Sequence, residues 1–510
     1  MTGHVRIGDW LRMTASRVPD MACFIDEGQQ RTLTFGETNR RVNQLANALT
    51  AQGVAKGDTL AILATDSHRY METLLASMKL GTTYVPLNNR LVESEIQTLI
   101  RAAGTHWLFV SERYADIAGR MVDVDGEPVQ VVDYDDGYEA FLASAPDHEP
   151  DVDVADEDII GLAFTSGTTG LPKGVMQSQY MMKNMVLHCL LEYAVEDSGE
   201  CRYSAAPMFH ISGMAMIFMG VLRGYPNVLN GQFEADKVLA WLQEGKLSAC
   251  FMVPTMVSSV VNLPGAAGAE YPRLRTILYG AAPMSPTLLR KAMDVFGCDF
   301  IQAFGAGTEA GLQTILSRDD HRRAVDGHEH LLESIGRPAL GVELRLCDEH
   351  LNDVEPGTVG EIVTRSDQVM SGYLRNPEAT ADALVGSWFR AGDLARADAE
   401  GYLYLAGRRK DMIIRGGENV YPIEIETVLT EHPAVHDAAV IGVPDDHYGE
   451  IVRACLMPRP GVDRPSDDEL REHCRARLAS YKVPVDYVWL DAFPLNASGK
   501  VLKRELREAT

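Results

Sequence analysis

The chain has no C-x-x-C pair, and its eight cysteines (Cys23, Cys189, Cys201, Cys250, Cys298, Cys347, Cys455, Cys474) are scattered along 510 residues. Such dispersal argues against a metal cluster or a disulfide framework and for buried thiols in a reducing compartment. Positive charge is short as well: 47 Lys and Arg against 72 Asp and Glu leave a net charge of −25. Binding to nucleic acid or to an anionic lipid surface needs a basic footprint, so neither is an expected partner. Small anions are not excluded, because local charges and backbone dipoles can hold them. Long apolar runs are missing too. The longest, Met214 to Leu222, is interrupted by Gly220 and falls far short of the ~20 residues that span a bilayer. The opening residues, Met1 to Arg6, carry no basic-then-apolar signal pattern, and a cytoplasmic location is the expectation. There is no internal repeat and no low-complexity tract. What is present, 46% hydrophobic and 23% charged residues, is the composition of an ordinary globular protein. The length exceeds that of a single core, so two or more domains are expected.

Helical and strand patterns alternate from the start. Asn39–Ala51 places Val42, Leu45, Ala46 and Leu49 at helical spacing, and Tyr70–Leu80 is a second helix candidate. Thr59–Leu63, Thr82–Leu87 and Leu108–Val110 read as strands. This alternation predicts an α/β fold with a largely parallel sheet. Between Val122 and Asp158 the sequence turns acidic and loses periodicity, which reads as a surface connector. The α/β pattern then resumes to about Ala406. A compact polar junction follows, Gly407-Arg408-Arg409-Lys410-Asp411, and the remainder has a strand at Ala438–Gly442 and a helix at Asp467–Leu478. The expected organisation is a large α/β domain over 1–406, a hinge at 407–411 and a small α+β domain over 412–510.

The most informative segment is Thr165-Ser166-Gly167-Thr168-Thr169-Gly170-Leu171-Pro172-Lys173-Gly174, directly after the apolar run Ile159–Phe164. Glycines permit positive φ and close approach, so backbone N–H groups and hydroxyls can wrap phosphate oxygens, and Lys173 adds a point charge. The nucleotide loop G-x-x-x-x-G-K-[ST] does not fit. Position 172 is proline where that loop needs glycine, and Gly174 stands where it needs a hydroxyl.

Further segments fall into line with it: Tyr279-Gly280-Ala281-Ala282-Pro283, Gly305 to Glu309, Trp388 to Asp393, Gly401 to Arg408, and Asn496-Ala497-Ser498-Gly499-Lys500. In order and spacing they resemble the acyl-adenylate-forming superfamily of acyl-CoA synthetases, peptide-synthetase adenylation domains and firefly-type luciferases. The resemblance implies a large N-terminal domain and a small mobile C-terminal domain. It also implies ATP, Mg²⁺ and coenzyme A, with a carboxylic acid joined to the thiol through an acyl-AMP intermediate.

The same resemblance assigns roles. Thr165, Ser166, Gly167, Thr168, Thr169, Gly170 and Lys173 would cradle the β- and γ-phosphates, with Thr308 beside them and Glu309 as the Mg²⁺ ligand. Gly280, Ala281, Ala282 and Pro283 would pack against adenine. Asp393 would accept both ribose hydroxyls, since a carboxylate can take two hydrogen bonds at once, and Arg408 would reach ribose or phosphate. Lys500 would bridge the acid and the α-phosphate. Lys410 aligns with the pivot about which the small domain rotates, bringing Arg415, Gly416, Gly417 and Glu418 to the thiol channel. His210 has two readings, a satisfied core histidine or a residue beside the acyl carboxylate, and the resemblance favours the second. Ser212, Gly213 and Met216 would then wall the acyl pocket, the small residues leaving width. Together with Gly280 and Gly305, that width suggests a medium-chain, aromatic or ring-bearing acid.

One departure stands out. Phe304-Gly305-Ala306-Gly307-Thr308-Glu309 has one residue more than the family's aromatic-Gly-x-Thr-Glu, so either Phe304 stacks on adenine or Gly305 replaces the aromatic. Alternatives to a CoA ligase are a free-standing adenylation enzyme that loads a carrier protein, and a non-catalytic relative that binds acyl groups or nucleotides. Ten residues follow Lys500, so no fused carrier domain is expected. Oligomeric state is open, a homodimer being the assembly considered.

Overall fold

Unbroken apolar runs become the buried parallel strands. Thr59–Leu63, Thr83–Pro86 and Trp107–Val110 lie side by side and are buried at nearly every position, the pattern of strands covered on both faces. The computed structural model describes residues 5–165, 172–193, 199–282, 284–416, 418–445, 447–495 and 501–509. Among these the chain divides into two compact units. The first holds everything up to Glu343 together with Arg365–Ser387; the second holds Leu344–Thr364 and the chain from Trp388 onward.

The first unit carries two mixed sheets with helices between their strands. A seven-stranded sheet runs in the order 372–373, 173–178, 159–165, 83–86, 59–63, 107–110, 130–133. A nine-stranded sheet has Arg202–Ser204, Asn227–Leu229, Ala249–Met252, Thr276–Gly280 and Asp299–Phe304 as its parallel heart. The main core runs through helices Phe35–Ala51, His68–Leu80 and Ile211–Arg223 and includes Leu45, Tyr70, Leu74, Met216 and Phe218.

Helices begin earlier than their apolar periodicity. Phe35–Ala51 starts where Thr34 Oγ1 accepts the Glu37 N–H (3.1 Å), and His68–Leu80 starts at the Ser67 cap. A cap satisfies orphan N–H groups without contributing to the apolar stripe.

The acidic stretch after Val122 is more than a connector. Gln130–Asp133 extends the sheet beside Trp107–Val110, and helix Tyr138–Ala143 buries Tyr138 and Leu142. Its aspartates serve the backbone: Asp133 accepts the Asp135 N–H (2.9 Å) and Asp135 accepts the Glu112 N–H (2.8 Å).

In the second unit, strands Gly360–Arg365, Trp388–Ala397 and Leu403–Arg408 form an antiparallel ladder. A separate sheet of Ile413–Arg415, Glu418–Val420, Val435–Asp445, Gly449–Pro458 and Asp486–Trp489 packs helices Pro422–Thr430 and Asp467–Arg475 around Val440, Leu456 and Leu470. Among the described residues, no helix is long and apolar enough to cross a membrane.

Candidate active site

Three of the singled-out segments leave the carboxyl ends of parallel strands in one sheet. Pro207–His210 follows Arg202–Ser204, Ala281–Ala282 follows Thr276–Gly280, and Gly305–Glu309 follows Asp299–Phe304. That edge is where open α/β sheets bind ligands. The glycine-rich segment belongs to the neighbouring sheet. Strand Ile159–Thr165 enters it and Lys173–Ser178 leaves it antiparallel, with Thr165 paired to Lys173.

The Thr308-Glu309 pair is held from several directions. Gln177, fully buried, donates from Nε2 to the Thr308 carbonyl (3.2 Å) and accepts the Tyr84 hydroxyl at Oε1 (3.1 Å). Met370 N–H donates to the Glu309 carbonyl (2.7 Å), and Glu309 N–H donates to Ala306 (3.1 Å). Just beyond, the buried Gln368 takes the Leu312 N–H at 3.0 Å and returns a hydrogen bond to its carbonyl at 3.2 Å. The same amide donates to His188 Nδ1 (2.7 Å); burial lowers the His188 pKa, favouring the neutral, accepting form.

Tyr373 lies near two of the predicted groups. Burial, followed by the nearby Glu309 charge, pushes its phenol pKa well up. Its ring lies under Lys173, with Nζ 4.9 Å from the centroid. The second buried tyrosine nearby, Tyr279, donates to His321 Nε2 (2.9 Å) while His321 Nδ1 donates to the Ser317 carbonyl (2.7 Å). Burial lowers that histidine to about 4, so it stays neutral.

Three glycines have a different purpose from the one expected. A Cβ on Gly213 would come 2.3 Å from the Pro207 carbonyl oxygen, on Gly280 2.3 Å from that of Ala303, and on Gly305 2.0 Å from that of Gly311. Their small size is required where backbone approaches backbone. The point also bears on the departure after Phe304. No ring fits at Gly305, and the extra residue is absorbed in a tight turn with Gly307 at φ 50° and Gly311 at φ 57°. Phe304 ends its strand half-buried, paired with Thr314. Ala281 is exposed at φ 66°, an uncommon conformation for a residue with a Cβ. Its neighbour Ala282 is exposed too.

His210 caps helix Ile211–Arg223, its Nδ1 facing the Ser212 hydroxyl (2.8 Å) and N–H (3.4 Å). The loop before it is fastened by Asp66, which accepts the Met208 N–H at 2.9 Å. Met216 is buried in the main core.

In the second unit Asp393 and Arg408 stand opposite each other in the ladder, and Arg408 Nε donates to Asp393 Oδ1 (3.0 Å). Asp393 is buried. Lys410 lies exposed in the single 3₁₀ turn Arg409–Asp411. Arg415 and Glu418 pair across a hairpin that turns through Gly416 at φ 60°. The Arg415 guanidinium is engaged, donating to the Tyr481 carbonyl (2.7 Å) and lying 5.1 Å from the Tyr448 ring centroid. Ser166, Gly167, Thr168, Thr169, Gly170, Pro283, Gly417 and Lys500 lie outside the described residues.

Sequence reasoning missed Tyr373, Gln177 and Tyr84. Gln177 sits two alternations along the strand from Lys173 and so shares its face, a usable signal. Nothing in the sequence ties Tyr373 to a lysine two hundred positions earlier.

With this geometry in place, residues 11–374 match the family described as AMP-binding enzyme, and residues 424–500 match its C-terminal domain. The chain belongs to the AMP-binding enzyme family, the acyl-adenylate-forming superfamily. It is 36% identical to a feruloyl-CoA synthase of Amycolatopsis sp, covering 98% of each chain. It is 33% identical to the fatty acid–[acyl-carrier-protein] ligase ScoC of Streptomyces coeruleorubidus, covering 97% of this chain and 94% of that one. Among solved structures it resembles the o-succinylbenzoate CoA synthetase of Bacillus subtilis in complex with its acyl-adenylate intermediate, at 30% identity, TM-score 0.86 and 98% coverage of both chains. That synthetase has also been solved with ATP and magnesium ion. The fold is therefore that of a large N-terminal and a small C-terminal adenylate-forming domain.

The residues present suit Mg²⁺. Glu309 offers a hard oxygen donor next to Thr308, which is hydrogen-bonded to Gln177 of strand Lys173–Ser178, and Mg²⁺ is typically held by one or two carboxylates plus substrate phosphates. Among the described residues no cluster of three or more His, Cys, Asp or Glu forms a metal cage.

Proposed function

We propose that the protein is an ATP-dependent, AMP-forming carboxylic acid–CoA ligase. An acid oxygen attacks the α-phosphorus of ATP and the bond to pyrophosphate breaks. A thiolate then attacks the acyl carbon and AMP leaves. The observation that carries this reading is the Lys173 ammonium over the Tyr373 ring at the mouth of the glycine-rich segment, with the Glu309 charge acting on the same phenol, in a chain of this family. Two anions must meet in the first step, so fixed positive charge is the main catalytic resource. Bound Mg²⁺ would neutralise phosphate charge; Glu309 would hold it. Lys173 and Thr165 would steady the β- and γ-phosphates, and Thr308 would sit beside them. Asp393, oriented by Arg408, would take the ribose hydroxyls.

Lys500 would join the acid to the α-phosphate, with Lys410 as the pivot that exchanges it for the hairpin Arg415–Glu418 in the thiol step. The acid is medium-chain, aromatic or ring-bearing. Relatives named for feruloyl and o-succinylbenzoate substrates support the ring-bearing end of that range. A cytoplasmic setting agrees with free cysteines of which all but Cys298 are buried.

The test is a panel of carboxylic acids scored by ATP–pyrophosphate exchange, followed by thioester formation from the best acid with free coenzyme A. Exchange with no acid would end the proposal. The carrier-loading reading is kept by the similarity to an acyl-carrier-protein ligase. Thioester with a holo-carrier protein and none with coenzyme A would put it first.

A further inference from the structure

The turn Arg409–Asp411 is gripped at both edges by side chains. Upstream, Arg409 Nη1 donates to Glu361 Oε2 (3.3 Å). Glu361 belongs to strand Gly360–Arg365, and Arg409 follows strand Leu403–Arg408. These two flank strand Trp388–Ala397, where Leu394 pairs with Glu361 on one side and Gly407 on the other. The contact therefore reaches across a whole strand, and Arg390 of that strand donates to the same oxygen through Nε (3.2 Å) and Nη2. Downstream, Asp411 Oδ1 lies 3.9 Å from Arg507 Nη2. Arg507 stands on helix Lys503–Ala509, whose Leu506 is buried with Ala439, Ile441 and Cys455 of the separate sheet.

The upstream grip is the firmer one. The Glu361 side chain is 3% exposed, and its Oε1 is buried with no hydrogen-bond partner among the described residues. A buried carboxylate in that state depends on its cations, so the Arg409 bond resists removal. The backbone leading to Arg409 is paired as well, Gly407 with Leu394 and Arg408 with Asp393. Torsion at Gly407 or Arg408 would drag the Arg409 guanidinium off Glu361. Torsion at Lys410 leaves both tethers whole, because each stays with its own side.

We infer that Glu361 is a positioning residue for the passage between the two half-reactions. Through Arg409 it confines the change of torsion to Lys410, so that the Arg415–Glu418 hairpin arrives in one orientation. The inference rests on the pivot proposed above and goes beyond it in naming what makes that pivot a single residue.

The experiment uses the full chain with Arg409→Ala, Arg409→Lys and Glu361→Gln. Amide hydrogen exchange is followed at Met412, whose N–H closes the turn on the Arg408 carbonyl (3.1 Å). This measurement needs no turnover and judges the tether by itself. Arg409→Ala should speed the exchange roughly two- to fivefold, the range open to a half-exposed ion pair. Arg409→Lys keeps a charged donor and should speed it less. Glu361→Gln should match Arg409→Ala. Thioester formation from supplied acyl-AMP is then compared in two backgrounds. In the otherwise native chain Arg409→Ala should slow it about threefold, as substitutions along a coupled element do. Added to Lys410→Pro it should instead quicken it, since a freed upstream edge lets Gly407 and Arg408 turn in place of the blocked residue. A residue that only packs the ladder would deepen the loss in both backgrounds. Lys410→Pro at the wild-type rate overturns the pivot reading and the inference with it. A slow Lys410→Pro that Arg409→Ala does not relieve overturns the inference alone. So does native Met412 exchange in Arg409→Ala, or in a Glu361→Gln chain that melts as the wild type.

Discussion

Thr308-Glu309 and Arg409–Asp411 are both short polar segments that follow a strand, and they are held in contrasting ways. The first is fixed through its backbone by Gln177 and Met370. The second is a single 3₁₀ turn with Arg409 and Lys410 exposed, entered through Gly407 at φ 125° and closed by a bond from Met412 N–H to the Arg408 carbonyl (3.1 Å). Charge-bearing groups that must meet a phosphate within a fraction of an ångström need the first arrangement. A backbone that must change torsion between two steps is better served by the second.

The sharpest way to break this contrast is at Lys500. Lys500→Ala should lower acyl-AMP formation by roughly 10²–10³, the cost of one transition-state electrostatic partner, and spare thioester formation from supplied acyl-AMP. Equal losses in the two half-reactions would mean that one arrangement serves both. Next in size is a matched pair of substitutions. Gly305→Ala drives a Cβ into the Gly311 carbonyl, so the turn carrying Glu309 must shift, and exchange should fall about 10²-fold, as a misplacement near 1 Å can cause. Gly416→Ala meets only the Tyr448 ring edge at 3.3 Å, and its left-handed φ should cost about 1–2 kcal/mol of stability with little change in exchange. Similar exchange rates for the two variants would show that the turn carrying Glu309 tolerates displacement no less than the Arg415–Glu418 hairpin does.

Lys410→Pro should leave exchange intact and slow thioester formation on the order of tenfold, because proline fixes its own φ and pushes Arg409 out of a helical turn. Thioester at the wild-type rate would place the pivot elsewhere.

The smallest effect concerns the loop before His210. Burial pushes the Asp66 carboxyl up to about 7, against the lowering influence of the Met208 N–H and the Arg90 charge, with Asp26 raising it further. A folded-state value above that of the free chain means the native protein holds this proton more tightly, so stability falls as pH rises from about 4 to 7. Asp66→Asn keeps an acceptor for Met208 and removes the penalty. Its melting temperature should exceed the wild type's by roughly 1–3 °C at pH 8, and the gap should close towards pH 4. A gap independent of pH would show that Asp66 acts through packing alone.

Alternation of apolar runs and ordered motifs made the fold class legible. The strand Thr59–Leu63, the apolar run Ile159–Phe164 and the helix of residues 70–80 came from local pattern, and local pattern is what periodicity reports. The misreadings have a common cause. Gly213, Gly280 and Gly305 were read as space, and periodicity could not show that a Cβ there would meet the carbonyl of Pro207, Ala303 or Gly311. The strand Gln130–Asp133 was hidden because two valines among acids show no period, though a neighbouring strand gives them a partner. Tyr373 lay beyond reach because the lysine over its ring stands two hundred positions earlier.

The first unit does not come from one continuous stretch. The chain leaves it at Glu343 and re-enters at Arg365–Ser387, bringing Met370 and Tyr373 to a segment made long before. During synthesis, Lys173 and Glu309 therefore exist without their last two supports while the next several dozen residues emerge. A nascent chain halted before Arg365 would have a nearly finished scaffold in which the Thr308-Glu309 segment lacks its bond from Met370. The same return dictates where the gene can be dissected: a fragment ending at Glu343 would lack the Met370 bond to the Glu309 carbonyl, whereas a cut after Ser387 keeps the whole first unit.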